Sequence, residues 1–394
     1  MAFMLRLALA VGLATAWGGA AEPRALLLPL LTGQLEGDFR PLSIEGAPSV
    51  HWQVSLRNTP EGGRAIEARI EGPGTKVVAE IESDLAGNGR WRVSGAEIDL
   101  ATWSAAATAF LGEEFRESSA SGTVSVQGEG TLRDGVPDGR ARLAIRDGRV
   151  DDKEHRVVIE GISLDFELVD IGRRRSAPQQ SLTWERGNYE TLSFSRGQVE
   201  FSLEGDKARV SKASVEIFGG EVVLGAFDFS TQRREATVIA RIVGLEVSRM
   251  LPYLPAVLAS ARGRVDGSVT LHRNRAGVQI GTGNLALRSG ETAELRLAPT
   301  PGLISTSLPD TVLKMYPGLG EIETGEVPLR ADQLEVMFTP GGDSQGRTAT
   351  IRVVGGPSDP RLRAPVDLNI NVRGPLEQLI KFGTDSRLKF GGKP

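Results

Sequence analysis

Alternating apolar and polar residues dominate the chain between Gly197 and Leu287. In residues 198–204 the apolar Val199, Phe201 and Leu203 alternate with Gln, Glu and Ser. A period of two places these two sets of side chains on opposite faces of a strand, so one face is apolar and the other is polar. The apolar face of such a sheet needs a cover, which can be a second sheet, a few helices or a ligand. The nature of that cover is the functional question for this chain.

The same alternation continues on both sides of this stretch, and helical patterns are short. Glycine, asparagine and proline interrupt the strands at intervals that are typical of hairpins. The sequence therefore predicts a mainly β protein with a long antiparallel sheet and a few short helices. The predicted helical segments are Asp99–Gly112, part of Leu245–Ser260, Leu308–Tyr316 and a last helix that opens at Pro375.

A strand opening of the form Gly-x-Val recurs along the chain. Its spacing is close to one or two units of about 22 to 26 residues, which is the size of a hairpin. This recurrence favours one extended sheet, built by adding similar hairpins, over several globular domains. The openings are at Gly122, Gly148, Gly197, Gly220 and Gly263.

The composition excludes several classes of function for this chain. The chain has 394 residues, of which 40% are hydrophobic and 24% are charged, as is ordinary for a folded protein. A net charge of -4 offers no basic footprint for nucleic acid. Cysteine is absent, which excludes disulfides, thiolate nucleophiles and cysteine-based metal sites.

The first 21 residues have the pattern of an export signal. Arg6 provides a positive charge, Leu7 to Trp17 are apolar or small, and residues 18–21 are small as a signal peptidase requires. An uncleaved anchor is the alternative, but eleven residues of helix span only about half of a ~30 Å hydrocarbon core. We expect residues 1–21 to be a cleaved signal peptide and the chain to be exported.

Motifs for catalysis or metal binding are missing. The sequence has no Gly-x-Ser-x-Gly nucleophile elbow and no phosphate-binding Gly-x-x-x-x-Gly-Lys. His51, His155 and His272 lie on separate predicted strands or turns and make no local metal site. We therefore expect no enzyme activity, no cofactor and no metal. The run Arg173 to Arg175 is compatible either with docking of anionic headgroups or with a solvated loop.

Several segments together resemble a known family. They are the turn Phe218–Val222, the following Leu245–Leu254, the strand opening Ala261–Gly267 and the closing Pro365–Leu376. From Gly122 onwards the chain resembles AsmA-like envelope proteins, in particular the YdbH branch, whose region was once labelled a dicarboxylate transport domain. The resemblance rests on glycine positions and on strand alternation.

The resemblance implies a fold and a function. It implies a long, twisted half-pipe of antiparallel β-sheet in the periplasm, whose concave apolar groove carries phospholipid acyl chains between the inner and outer membranes. The chain is shorter than typical members. Its implied partners are therefore phospholipids, membrane surfaces, and either an outer-membrane lipoprotein or a second copy that pairs at an open sheet edge.

These expectations define a domain plan and a candidate site. Residues 1–21 are the signal peptide, residues 22–112 an N-terminal β region with a capping helix, and residues 113–394 the extended β-groove. Two alternatives stay open: the same apolar residues could form the dry core of a β-sandwich, and the protein could be a non-catalytic scaffold or assembly factor of the cell envelope. The predicted groove lining is Val199, Phe201, Leu203, Val215, Ile217, Val265, Val269 and Leu271.

Overall fold

A computed structural model of the chain describes residues 32–40, 48–104, 117–154, 156–230, 236–253, 258–274, 277–299, 302 and 304–373. The predicted signal peptide, most of the predicted helix 99–112 and the predicted helix after Pro375 lie outside these residues. The described strands belong to one 22-stranded antiparallel sheet. Contacts divide the chain into two compact units, with residues 1–211 and 228–233 in unit 1 and residues 212–227 and 234–394 in unit 2.

Eleven strands precede residue 207 and belong to unit 1; of the eleven that follow, β12 spans the boundary between the units and most of β14 belongs to unit 1. The first eleven are β1 Gly33–Phe39, β2 Val50–Asn58, β3 Arg64–Gly72, β4 Thr75–Ser83, β5 Gly89–Asp99, β6 Ser118–Arg133, β7 Val136–Asp152, β8 Val157–Asp170, β9 Arg175–Ser176, β10 Gln180–Tyr189 and β11 Leu192–Glu204. The others are β12 Lys207–Ile217, β13 Gly220–Leu224, β14 Phe227–Ser230, β15 Ala236–Glu246, β16 Leu258–Arg262, β17 Arg264–Asn274, β18 Gly277–Leu287, β19 Ala293–Leu297, β20 Leu329–Phe338, β21 Arg347–Pro357 and β22 Val366–Arg373.

Unit 1 is a meander in which each strand from β1 to β8 pairs with the next. The short β9 and the longer β10 then both lie between β8 and β11, and each of them pairs with β8 and with β11. Two-residue turns set the register. Between β6 and β7, Asp134 and Gly135 have φ angles of 52° and 78°, which is the geometry of a hairpin turn that matches the strand twist.

Unit 2 continues the antiparallel pattern with one interruption. Its long strands pair in the order β12, β13, β15, β17, β18, β20, β21 and β22. The short strands β16 and β19 pair with each other, and β19 also pairs with the first half of β20. The turn predicted at Gly219 and Gly220 lies one residue earlier, at Phe218 and Gly219, which both have positive φ between the paired Ile217 and Gly220.

The described helices are all short. They are a turn over residues 100–104, α1 Val247–Met250, α2 Asp310–Met315 and α3 Gly318–Glu323, with 3-10 turns at Leu251–Tyr253 and Ser305–Ser307. Asp99 caps the first of these by accepting from the Ala101 N–H (3.1 Å) and the Thr102 hydroxyl (2.6 Å). The prediction of a mainly β fold with few short helices is confirmed.

The segment with three arginines forms a tight turn. Residues 171–174 join β8 to β9, and the Arg174 carbonyl accepts from the Gly205 N–H at 3.3 Å. Asp170 accepts from the Arg173 N–H at 2.8 Å, while the Arg173 side chain is 83% exposed. Backbone hydrogen bonds between neighbouring turns therefore hold this segment, and its charged side chains point to solvent.

Candidate functional site

Cross-strand registers align apolar side chains into rows in unit 1. Residues directly opposite each other in an antiparallel pair lie on the same face of the sheet. One row crosses β5, β6, β7, β8, β10 and β11 without a polar residue. Its members are Ile98, Val124, Ile145, Leu164, Leu182 and Val199. We call the surface that contains this row the apolar face of unit 1.

Three of the predicted lining residues, Val199, Phe201 and Leu203, lie on this face. All three belong to β11 and are buried, whereas the intervening Glu200 and Ser202 are partly exposed on the opposite face. The Phe201 ring stacks on Phe166 of β8 with ring centroids 6.0 Å apart. Because β10 pairs with β8 and with β11, backbones two strands apart are separated by about 9.6 Å in a flat sheet. The rings therefore converge on the apolar face.

The apolar face of unit 2 is a longer row of the same kind. It crosses eight strands, from β12 to β22, with only aliphatic residues and one glycine. The row consists of Val215, Val222, Ile242, Gly267, Leu285, Val336, Ile351 and Ile370. Seven strand spacings of ~4.8 Å give this row a length of about 34 Å.

The other five predicted residues share this second face, although not all are equally buried. Val265 and Val269 belong to the core cluster of unit 2, and Ile217 and Leu271 pack against that cluster. Val215 is half-buried and faces Val222 on β13. The structure thus places the eight predicted residues in two groups, one on each unit.

Helix α3 packs onto the apolar face of unit 2. Leu319 and Ile322 of α3 are buried in the same cluster as the sheet residues Val265 and Leu285, and Ile322 is 0% exposed. The sequence pattern does not predict α3, because its six residues include two glycines and are too short for a helical period to be recognised. Among the described residues, part of this face is thus covered by helices and not by a second sheet.

A buried carboxylate fixes the segment that precedes these helices. Glu323, at the end of α3, accepts from the backbone N–H groups of Gly302, Ile304 (3.1 Å) and Ser305 (2.7 Å) and from the Ser305 hydroxyl (3.0 Å). Burial by itself raises the pKa of the Glu323 carboxyl, but the four donors outweigh it, so the pKa lies below its usual range. The ionised carboxylate connects Gly302, Ile304 and Ser305 to α3.

Gln180 is a buried polar residue at the break between β9 and β10 in unit 1. Its amide oxygen accepts from the Glu167 N–H (2.6 Å), and its amide nitrogen donates to the carbonyls of Ala177 (2.8 Å) and Pro178 (3.2 Å). The Ser176 hydroxyl accepts from the Leu203 N–H at 2.8 Å. These side chains replace the backbone partners that the broken strand cannot supply.

The opposite face of unit 1 is polar and carries arginine–carboxylate pairs. Arg142 donates to both oxygens of Asp165, and the hydrogen bond from Arg142 is the main reason why the pKa of Asp165 lies below its usual range. Arg149 and Arg186 both contact Glu160. Each long strand thus separates an apolar face from a solvated, charge-balanced face.

The described residues include no group of three or more His, Asp or Glu side chains arranged to hold a metal. His51 contacts Asp38 at 3.3 Å and His272 contacts Thr237 at 3.0 Å, on different strands, while His155 lies outside the described residues. None of the helices within the described part has the length and hydropathy needed to cross a bilayer.

The sequence matches a model of the YdbH-like family, described as intermembrane phospholipid transport protein YdbH, over residues 15–307. The chain belongs to the YdbH-like family. This membership confirms the resemblance inferred from the sequence, and the match starts closer to the N-terminus than Gly122. No curated protein and no solved structure matches the chain significantly. Helices α2 and α3 and strands β20 to β22 follow the part that the YdbH-like family matches.

Proposed function

We propose that the protein is a non-catalytic carrier that holds phospholipid acyl chains on its apolar faces during transport between membranes. The observation that carries the proposal is the pair of uninterrupted apolar rows, one on each unit. The description of the YdbH-like family as intermembrane phospholipid transport supports the same function.

The energetics of acyl chains suit such a face. Exposing a chain of about 16 carbons to water costs on the order of 12 kcal/mol at ~0.8 kcal/mol per CH₂. A row of aliphatic side chains removes much of this cost without binding any position tightly. A carrier of this kind needs no catalytic residue.

The proposal includes a location and partners. Residues 1–21 direct export, the protein works in the periplasm, and its groove is lined by the eight residues predicted from the sequence. The chain exchanges lipid at membrane surfaces and works with an outer-membrane lipoprotein or with a second copy at an open sheet edge. Among the described strands β22 pairs only with β21, and a further strand could pair on its other edge.

One observation favours the alternative of an envelope scaffold. Ile322 and Leu319 of α3 occupy part of the apolar face of unit 2, as expected for a dry core. A scaffold would keep both faces permanently packed and would retain no lipid. The two functions therefore differ in one measurable quantity, the lipid content of the protein.

The test is native mass spectrometry with lipid extraction on the chain, purified from a bacterial periplasm without detergent. We expect co-purified phospholipid in the wild type and its loss in Phe201→Glu, which places a charge on the apolar face of unit 1. Ser202→Glu is the matched control, because it places the same charge one residue away on the opposite face. Circular dichroism and thermal unfolding verify that both variants fold.

Three outcomes would contradict the proposal or the part of it that concerns Phe201. A wild-type chain that is folded, compact and free of lipid favours the scaffold. If Phe201→Glu unfolds the protein while Ser202→Glu does not, the face around Phe201 behaves as a dry core. Equal lipid content in two folded variants would exclude Phe201 from the lipid path.

A further inference from the structure

The apolar face of unit 2 is buried to different depths along its strands. At one end of β20, β21 and β22, Leu329, Val353 and Val366 are 1%, 3% and 5% exposed. Further along the same face, Val336 of β20 and Ile351 of β21 are only half-buried. Helix α3 contacts β19 and β21 and packs onto the deeply buried end. One stretch of a continuous apolar face is therefore closed by a helical segment.

We call residues 304–323, from the turn before α2 to the end of α3, the cover. Its polar anchor is internal, because the buried Glu323 carboxylate accepts from the backbone N–H groups of Ile304 and Ser305 at the other end of the cover. In the described part of the chain, the backbone hydrogen bonds of the cover also stay within residues 304–327. The cover therefore shares no backbone ladder with the strands beneath it.

The contacts between the cover and the sheet are apolar. Leu319 and Ile322 of α3 are buried in the cluster of the sheet, and Val312 of α2 packs against it. An acyl chain that took their place would bury the same sheet surface again. Displacement would leave no buried charge unpaired on the sheet, since Glu323 keeps its donors within the cover. The cover is thus exchangeable for an acyl chain.

A glycine with positive φ lies at each end of the cover. Gly302 has a φ of 93° and Gly325 a φ of 75°. Glycine adopts such angles without a steric penalty, and hinges are a few residues at the ends of elements that absorb changes in φ and ψ. The Arg296 guanidinium donates to the Gly325 carbonyl at 3.1 Å and so links the C-terminal hinge to β19.

We propose that the cover is a lid, which occupies part of the acyl-chain path on unit 2 and is displaced when an acyl chain binds there. Without lipid, the cover keeps this end of the face dry. With lipid, the acyl chain replaces it. This inference rests on the proposed function, because it requires lipid on unit 2. It adds a lipid-dependent movement that the permanently packed core of a scaffold would not show.

The test locks the cover with a disulfide. A Cβ atom at Gly318 of α3 would lie 3.6 Å from the Cβ atom of Ala364 in the segment before β22, within the range of about 3.5–4.5 Å that disulfides span. The chain has no cysteine, so a double variant with Gly318→Cys and Ala364→Cys forms this disulfide without competing thiols. Either single variant is the matched control, because it cannot form the bond.

The full-length double variant, oxidised or reduced, is incubated with vesicles of phosphatidylethanolamine and phosphatidylglycerol and repurified. Native mass spectrometry then counts the bound lipids. We expect the oxidised form to carry about half of the lipid that the reduced form carries, because one of the two apolar faces stays closed. The single variants should bind the same amount under both conditions.

A second variant weakens the cover instead of locking it. Ile322→Ala removes contacts between the cover and the sheet, so the apparent affinity for the same phospholipids should rise at least about tenfold. Its unfolding midpoint without lipid should fall. Glu321→Ala is the matched control, because it changes a partly exposed residue of the same helix and should leave both quantities unchanged.

Equal lipid content in the oxidised and reduced double variant, or unchanged or weaker lipid binding by Ile322→Ala, overturns the lid and makes α3 a permanent part of the core. The carrier function would then still stand. If neither the wild type nor the reduced variant binds lipid, the carrier function fails, and the lid fails with it. Circular dichroism verifies folding, and if the double variant does not fold, Ile322→Ala decides alone.

Discussion

Glu323 offers a quantitative test of how α3 and the segment before it are held on unit 2. The carboxylate is 5% exposed and accepts four hydrogen bonds, three of them from backbone N–H groups of residues 302–305. Glu323→Ala removes every acceptor at once. Glu323→Gln keeps one acceptor oxygen and replaces the other by a donor, which would face N–H groups.

The magnitude follows from the number of donors that lose their partner. A buried donor without an acceptor costs about 1–3 kcal/mol, and movement of residues 302–305 into water limits the total. We expect Glu323→Ala to lower the free energy of unfolding by about 3 kcal/mol and Glu323→Gln by about half of that. Glu321→Gln is the control, because it removes a charge of the same sign from a partly exposed position on the same helix.

Urea unfolding followed by circular dichroism measures the loss, and amide hydrogen exchange at Ile304 and Ser305 locates it. Exchange at these two amides should accelerate in Glu323→Ala before the strands of unit 2 become exchangeable. The reasoning would be refuted if Glu323→Ala cost less than about 1 kcal/mol, the size of one net hydrogen bond, or if Glu321→Gln had the same effect.

The lowered pKa of Glu323 gives this interaction a defined pH dependence. The folded state binds a proton less readily than the unfolded chain, so the stabilisation is complete above the ordinary glutamate pKa of about 4.3. It is lost as the pH falls through the lower pKa of the folded state. The stability difference between the wild type and Glu323→Gln should therefore shrink on acidification below about pH 4.3.

Two further predictions concern unit 1. Gly197→Ala should destabilise the protein by about 1–3 kcal/mol in urea unfolding, because the added methyl group overlaps the Trp184 ring. Gly95→Ala is the control: its Cβ position has open space, so it should cost less than about 1 kcal/mol. Equal losses of stability in the two variants would contradict this packing. Arg142→Ala should have only a small effect on the urea midpoint, and a smaller one in high salt, because Arg142 and Asp165 are 61% and 41% exposed. A large loss that is insensitive to salt would show that the pair is structural.

The sheet could be predicted from sequence because its strands obey a strict period of two. In β11 the apolar Val199, Phe201 and Leu203 are buried and the residues between them are not, as the alternation requires. Gly219 and Gly220 also predicted a turn after β12, because few residues other than glycine adopt positive φ cheaply, although the turn begins one residue earlier, at Phe218. Local rules of this kind determine which face of each strand is apolar.

The cover of the apolar face could not be predicted in the same way. Helix α3 has six residues, and packing of Leu319 and Ile322 stabilises it. Hydrogen bonds to Glu323 stabilise it further, and their donors lie 18 to 21 residues earlier in the chain. Neither contact leaves a periodic signal. The unpaired N–H of Trp184 could not be predicted from the sequence either, because an indole without a partner is recognised only when its neighbours in space are known.

The buried polar groups of unit 1 differ in whether they have hydrogen-bond partners. Gln180 is buried, but its amide group is fully used by Glu167, Ala177 and Pro178 and offers nothing to a bound lipid. The indole nitrogen of Trp184 is buried on the same sheet without a hydrogen-bond partner, although the residue as a whole is partly exposed. An acyl chain gains the same free energy at any position along a uniform aliphatic row, so packing alone cannot fix where the lipid stops.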